Sequence, residues 1–168
     1  KQRLQTAREA SIARHHAAQA IEVQVRKTAE QIDKILLDIW KMYFDQQPAL
    51  SLIAVGGYGR RELNIHSDID LLILHDFVAP VEQALENAGV DSFIQFLWDI
   101  GLEVGLSVRS LDDCLRQAND DITIMTTLLE SRWLCGNSSL YQEFNLQIRQ
   151  HSSWTDLSFF NAKVQEQV

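Results

Sequence analysis

The most informative part of this sequence reads VGGYGRRELNIHSDIDLL at residues 55–72. A short apolar segment leads into a glycine pair, a polar connection follows, and Asp-Ile-Asp opens a second apolar segment. Three of the chain's seven glycines fall within residues 56–59, which indicates a closely fitted backbone there. Side chains alternate along a β-strand, so Asp68 and Asp70 are predicted to project from one face with Cα atoms about 7 Å apart. The pattern therefore predicts two carboxylates that converge at one end of a sheet.

Two neighbouring carboxylates and a glycine pair together suggest a particular kind of site. Like charges at close range repel and raise the pKa of one acid unless a cation lies between them. Mg²⁺ commonly binds one or two carboxylates and completes its shell with water and phosphate oxygens. Gly56 and Gly57 have no Cβ atom, so backbone N–H groups can approach a phosphate closely. These parts describe a cradle for a metal ion and a triphosphate; the alternative is that Asp68 and Asp70 only cap a strand.

Other phosphate-binding and metal-binding motifs are absent from the sequence. The pattern GxxxxGK[ST] of P-loop proteins does not occur, and the dinucleotide-binding pattern GxGxxG fails at Glu62. His66 and His75 have no cysteine or histidine at zinc-binding spacing. Arg60 is a candidate for a phosphate contact or for a solvated turn, and Ser67 for a substrate contact or a local cap.

Hydrophobic periodicity predicts a small sheet surrounded by many helices. Apolar residues repeat every 3.6 positions over residues 21–43, which predicts a long N-terminal helix that ends before Pro48. Apolar runs predict strands at 51–55, 69–74 and 102–108. Helical spacing predicts a helix at 81–100 that is interrupted at Gly89, and another at 122–134 that Gly136 ends. Two more helices are predicted, one after a capping box at 110–113 and one after Ser138.

The composition is that of an ordinary globular protein. The chain has 168 residues, of which 46% are hydrophobic and 23% charged, and a formal net charge of −8. Nucleic acids and anionic membranes attract cationic surfaces, so this acidic balance argues against both as partners. Two cysteines without CxxC spacing favour a reducing compartment, and neither a long apolar run nor a basic leader occurs. A cytoplasmic protein is therefore predicted.

Two motif blocks resemble a known protein family. GGYGRxEL and SDIDLL form the first block, and FLWDIGLEVG and SVRSL follow in the second. Over roughly residues 25–145 the chain resembles the N-terminal nucleotidyltransferase domain of the bacterial PII uridylyltransferase/uridylyl-removing enzyme family, within the polymerase-β-type nucleotidyltransferase superfamily. The sequence departs from the family pattern at three positions, because the family usually has glycine at Arg61, proline at Ile65 and histidine at Leu106.

The resemblance implies the α+β class, with the small mixed sheet of the polymerase-β-type nucleotidyltransferase fold surrounded by helices and preceded by a long N-terminal helix. It also implies a role for each candidate site residue. It implies that Gly56 and Gly57 hold a nucleoside triphosphate, with Arg60 and Ser67 as the further candidate contacts. It also implies that Asp68 and Asp70 bind Mg²⁺. The third carboxylate of the superfamily would lie on the neighbouring strand, where Glu103 is the only acid, so Glu103 is the candidate third catalytic residue.

The implied reaction is attack by a tyrosine hydroxyl of the PII nitrogen-regulatory protein on the α-phosphate of UTP, with release of pyrophosphate. Two alternatives stay open: transfer of another nucleotide to a different acceptor, and a regulatory module that binds nucleotide without turnover. We expect an N-terminal helical segment at 1–48, a nucleotidyltransferase core at 49–150 and a C-terminal helical segment at 151–168. The family's hydrolase and glutamine-sensing domains are not visible in this sequence, so a fragment or a stand-alone relative is expected.

Overall fold

The structure, a computed structural model, describes residues 2–45, 47–62 and 68–151, with side chains from residue 23 to residue 150 within those ranges. Helices and strands alternate along the described residues in the following order: α1 Gln2–Phe44, β1 Leu50–Ala54, α2 Gly56–Gly59, β2 Ile69–His75, α3 Val81–Ala88, α4 Val90–Asp99, β3 Val104–Ser110, α5 Leu111–Asp120, α6 Ile122–Leu129, β4 Arg132–Gly136 and α7 Ser138–His151.

The strands form one mixed sheet in the order β3-β2-β1-β4. Strand β1 runs antiparallel to both β2 and β4, whereas β2 and β3 are parallel. Parallel neighbours need a crossover connection, and helices α3 and α4 provide it. The predicted α+β class is confirmed: a small mixed sheet lies among helices, and a long helix precedes it.

Alternate side chains of β2 contribute to two separate hydrophobic cores. Leu71 and Ile73 lie in the core that includes side chains of α1 and α4, whereas Leu72 and Leu74 lie in the core formed with α5, α6 and α7. All four are almost fully buried, as expected for a strand covered on both faces. Because Asp70 precedes Leu72 by two residues, Asp70 projects towards the α5–α7 side of the sheet.

The C-terminal part of α1 packs on the core through one apolar stripe. Leu36, Trp40 and Phe44 are buried at helical spacing. The ring of Trp40 meets Phe93 of α4 edge-on, with 5.6 Å between the ring centroids. Leu36 and Trp40 belong to the amphipathic repeat predicted over residues 21–43. Phe44 lies one residue beyond that repeat, and Ile35, which the repeat includes, is exposed.

The predicted division into segments 1–48, 49–150 and 151–168 stays a prediction. Helix α1 occupies most of the first segment, and residues 152–168 lie outside the described part of the chain. None of the helices among the described residues is long and apolar enough to cross a membrane.

One predicted helix proves too long. The sequence predicts a helix over residues 122–134, whereas α6 ends at Leu129 and Arg132–Gly136 form β4. Strand β4 pairs with the free edge of β1, and this distant pairing outweighs the local helical spacing. A Cβ at Gly136 would lie 2.5 Å from the carbonyl oxygen of Leu50. Glycine at position 136 therefore allows β4 to approach β1 closely, and it does not end a helix as predicted.

The third strand lies further along the chain than predicted. The sequence predicts a strand over residues 102–108 with Arg109 as its boundary, whereas β3 continues to Ser110. The parallel register with β2 sets these limits, since Ile69 lies opposite Val104. Arg109 therefore lies inside the strand.

Candidate active site

The glycine pair opens α2, a single helical turn that leaves β1. Gly56 has a φ of 56°, in the left-handed region that glycine adopts without strain. A Cβ at Gly59 would overlap the carbonyl oxygen of Glu130, so no side chain fits there. Gly57 differs, because the nearest atom to its Cβ position is the carbonyl oxygen of Glu62 at 3.6 Å. The fold therefore requires glycine at two of these three positions but not at Gly57.

The start of α2 leaves backbone donors outside the helical hydrogen bonds. The first such bond runs from the Gly59 N–H to the carbonyl oxygen of Val55, at 3.0 Å. The N–H groups of Gly56, Gly57 and Tyr58 precede this bond, as at the start of every helix. The turn can therefore present N–H groups to an anion.

Gly59→Ala is expected to lower the free energy of unfolding by about 1–3 kcal/mol, the usual cost of forcing extra atoms into a packed site. The new methyl group would meet the carbonyl of Glu130. Gly57→Ala is the matched control, because its methyl group has room and alanine favours helix over glycine by about 1 kcal/mol. Chemical denaturation of both variants measures the difference, and equal stability of the two would contradict this interpretation.

The anchor cluster, which consists of Asp33, Tyr58 and Arg132, holds the glycine turn in place. The Tyr58 hydroxyl donates a hydrogen bond to Asp33 of α1 at 2.6 Å, and burial together with this bond raises the pKa of Tyr58 far above its usual value. Arg132 of β4 donates two hydrogen bonds to the Asp33 carboxylate, at 2.9 and 3.1 Å. Arg132 also donates to the carbonyl oxygens of Tyr58 and Gly59, at 3.3 and 3.2 Å. Helix α1 and strand β4 thus hold the turn from two sides.

Asp68 and Asp70 lie at the start of β2, beside the glycine turn. Asp68 is exposed just before the strand, and Asp70 is half-buried within it. An oxygen of the Asp70 carboxylate lies 3.5 Å from the Cβ position of Gly56. Burial, followed by the negative charge of Asp68, raises the pKa of Asp70. The structure therefore brings the two predicted acids and the first predicted glycine to one place.

A second glycine leaves room for the other side of the Asp70 carboxylate. Gly105 of β3 lies opposite Asp70 in the parallel register, and a Cβ there would lie 2.8 Å from the second carboxylate oxygen. The carboxylate is thus held between Gly56 and Gly105. Gly105 is a site residue that the sequence reasoning missed, and the second glycine of the FLWDIGLEVG motif is the signal that could have found it.

Glu103 lies near Asp68 but apart from the carboxylate pair. The backbone N–H of Ile69 donates to the carbonyl oxygen of Glu103 at 3.0 Å, and Glu103 and Asp68 line one open groove of about 420 Å³ together with Trp98. Among the described residues, no three histidine, cysteine, aspartate or glutamate side chains lie close enough to hold a metal ion together. Glu103 therefore does not join Asp68 and Asp70 in such a group, and its role as the third acid stays a prediction.

The two remaining candidate contacts have different surroundings. Arg60 is exposed, and its guanidinium pairs with the carboxylates of Glu62, at 2.8 Å, and Glu130. The hydrogen bond to Glu62 is the largest of the effects that raise the pKa of Arg60. A phosphate contact would therefore require Arg60 to exchange partners. Ser67 lies outside the described residues.

A cavity of about 360 Å³ lies beside Asp70, between β3 and α6. Its volume falls within the range of small-molecule binding sites. Ser107 and Arg109 follow Gly105 at alternate positions of β3, so strand periodicity is the signal that could have found them. The polar side chains of the lining that the sequence reasoning did not select are Ser107, Arg109, Asp121, Thr123 and Thr127.

This chain belongs to the nucleotidyltransferase domain family, whose model matches residues 25–124. The match includes the glycine turn, both aspartates and three of the four strands described above. It confirms the membership that the two motif blocks predicted.

The curated relatives are bifunctional uridylyltransferase/uridylyl-removing enzymes. The enzyme from Haemophilus influenzae (strain PittEE) is 45% identical over 145 residues, which are 86% of this chain and 16% of that protein. The enzyme from Pseudomonas putida (strain GB-1) is 41% identical over 151 residues, which are 89% of this chain and 16% of that protein. A solved structure of a toxin-antitoxin with AMP-PNP has a TM-score of 0.44 and 16% sequence identity, and covers 81% of this chain and 98% of that chain. The chain spans 16% of the length of these curated relatives.

Proposed function

We propose that this chain is the catalytic unit of a uridylyltransferase, which transfers UMP from UTP to a tyrosine of a PII-type nitrogen-regulatory protein. The observation that carries the proposal is the position of the Asp70 carboxylate, which lies beside Asp68 and against Gly56. Identity of 45% to a uridylyltransferase supports the uridylyl group as the one transferred. The motif resemblance supports a PII-type protein as the acceptor.

The carboxylate pair fits a magnesium ion. Asp68 and Asp70 offer hard oxygen donors of the kind that Mg²⁺ binds alongside water and phosphates. The raised pKa of Asp70 reflects two negative charges in a partly buried setting, which a divalent cation would compensate. Gly56 and Gly105 leave space around the carboxylate that Cβ atoms would fill. Asp68 and Asp70 would therefore hold the ion, which when bound supplies positive charge to the triphosphate and the leaving group.

The protein's own contribution is mainly to position the substrates. The N–H groups of Gly56 and Gly57 would donate hydrogen bonds to phosphate oxygens, as at other helix starts. The anchor cluster fixes the turn that carries them, since Arg132 binds the carbonyl oxygen of Gly59. Alignment of an acceptor hydroxyl with the α-phosphate supplies much of the rate gain in such transfers.

The proposed transfer forms one bond and breaks one. The acceptor tyrosine oxygen bonds to the α-phosphorus of UTP and releases its proton to water. The bond between this phosphorus and the oxygen that bridges to the β-phosphate breaks, and pyrophosphate leaves. Glu103 lines the groove beside Asp68, and we propose it as the third acid on the acceptor side.

We infer a cytoplasmic setting, with neither nucleic acid nor membrane as a partner. Cys114 is buried, Cys135 is half-buried, and both are free thiols. Burial raises the pKa of each thiol to about 12, so both stay protonated and unreactive at neutral pH. Free thiols suit a reducing compartment, and a net charge of −8 disfavours binding to polyanions.

Label transfer tests the proposal. The chain is incubated with Mg²⁺, a PII-type protein and either UTP or ATP labelled at the α-phosphate, and EDTA is added to a control. We expect label from UTP on the PII-type protein, with none when EDTA is present or when the acceptor tyrosine is replaced by phenylalanine. Label from ATP alone would contradict the choice of UTP, and label that survives EDTA would contradict the metal requirement. Label from neither nucleotide would contradict the assignment as an enzyme.

A further inference from the structure

Arg109 is half-buried in the cavity beside Asp70. It makes no hydrogen bond or ion pair with any side chain that the structure describes. Other arginines of the described fold have carboxylate partners within reach, namely Arg60, Arg116 and Arg132. Among the described residues, Arg109 is therefore a cation without a carboxylate at ion-pair distance.

Two acids, Asp70 and Asp121, line the cavity with Arg109, and neither forms an ion pair with it. Asp121 lines the same cavity as Arg109, but its carboxylate accepts a hydrogen bond from the Thr123 N–H at 2.7 Å and caps α6. A cation partly withdrawn from water is costly unless it is paired. A negatively charged ligand in the cavity would supply the missing partner.

Strand β3 determines how far Arg109 lies from the aspartates. Gly105 lies opposite Asp70, and Arg109 follows four residues later, about 13 Å further along the strand between Cα atoms. Residues four apart on a strand project from the same face, so both border one cavity. Ile124 and Leu128 contribute apolar walls to it, and such walls strengthen hydrogen bonds between charged groups by excluding water.

We propose that Arg109 binds the β- and γ-phosphates of the nucleoside triphosphate in this cavity, with the α-phosphate at the Asp70 end. This inference rests on the proposed function, because it assumes a triphosphate substrate. The planar guanidinium donates two parallel hydrogen bonds to phosphate oxygens. The base and the ribose are uncharged and offer no comparable partner for a cation. Arg109 is thus the residue that makes the site prefer a triphosphate to a monophosphate.

Binding of a series of nucleotides tests this role. The dissociation constants of UMP, UDP and UTP are measured by calorimetry with Mg²⁺ for the unaltered chain, Arg109→Gln and Arg109→Lys, with the adenine series in parallel. Arg109→Gln is expected to raise the dissociation constants of UTP and UDP by about 10- to 100-fold, because it removes charge-assisted hydrogen bonds. The dissociation constant of UMP should change by less than about 3-fold, since UMP has no β-phosphate. Arg116→Gln, which removes an exposed arginine paired with Asp113, is the matched control and should leave all three constants unchanged.

Each other outcome counts against the proposal. Equal weakening of UMP, UDP and UTP by Arg109→Gln would assign Arg109 to the α-phosphate, the ribose or the base, and unchanged constants would remove it from the site. If Arg109→Gln does not fold, Arg109→Lys tests the proposal instead. Lysine keeps the charge but loses the paired donors, so this variant should weaken the binding of UTP more than the binding of UMP. Failure of the unaltered chain to bind any nucleotide would overturn the proposed function as well. If the unaltered chain binds UTP and Arg109→Gln binds it equally well, the role of Arg109 is overturned and the proposed function is not.

Discussion

Asp70→Asn is expected to lower Mg²⁺-dependent nucleotidyl transfer by about 10³-fold or more. The substitution keeps the shape of the side chain between Gly56 and Gly105 but removes a charge that would hold the cation. Stability should be unchanged or slightly higher, because burial and the charge of Asp68 both disfavour the Asp70 carboxylate. Initial rates of label transfer and thermal unfolding measure the two effects.

Asp76→Asn is the matched control for Asp70→Asn. Asp76 is an exposed aspartate directly after β2, at the end of the strand away from Asp70. The same charge change there should alter transfer by less than about 2-fold, because exposed charges are screened at this distance. Retention of more than a tenth of the activity in Asp70→Asn would remove Asp70 from the catalytic machinery.

Arg132→Met is expected to lower the free energy of unfolding by about 3–5 kcal/mol, the usual cost of removing one partner of a largely buried ion pair. The side chains of Arg132 and Asp33 are only 20% and 15% exposed, so solvent replaces little of the lost pairing. The carbonyl oxygens of Tyr58 and Gly59 lose a donor as well, and the glycine turn should shift. Denaturant unfolding measures the stability, and label transfer should fall with it.

A double variant separates charge from packing in the anchor cluster. Asp33→Asn together with Arg132→Met removes both charges but keeps an acceptor for the Tyr58 hydroxyl, and should recover part of the lost stability. Arg116→Met is the control, because its pair with Asp113 is exposed and should contribute less than about 1 kcal/mol. A cost below about 1 kcal/mol for Arg132→Met would show that the anchor cluster is not a stabilising contact.

Local patterns in the sequence predicted most of the sheet and helices. The capping box at residues 110–113 is present, since the Ser110 hydroxyl accepts a hydrogen bond from the Asp113 N–H at 3.1 Å. The break at Gly89 separates α3 from α4, with a φ of 78° at the glycine. The helix predicted over residues 122–134 wrongly includes the first three residues of β4, because the partner strand β1 lies far away in sequence and short apolar runs fit either structure.

The candidate site also combines residues that local sequence patterns predict with residues that only the folded structure reveals. Gly56, Asp68 and Asp70 are predicted as site residues because their chemistry lies within one short stretch. Arg109 and Arg132 are not predicted, because only the sheet and its cavity reveal what they face. No pattern within a single segment carries that information.

One departure from the family pattern now has a structural meaning. Arg61 has a φ of 63° and is the only non-glycine residue with positive φ among the described residues. Most side chains are strained in this region, whereas glycine is not. The glycine that the family usually has at this position is therefore the unstrained choice.

The anchor cluster also gives the site a place in the order of folding. The hydrogen bond between Tyr58 and Asp33 spans 25 residues, and the ion pair between Asp33 and Arg132 spans 99. Contacts so distant in sequence require long loops to close and form slowly. We therefore expect the glycine turn to reach its final position only after β4 has joined β1. On this expectation, a growing polypeptide can complete the anchor cluster only once its synthesis has passed Arg132.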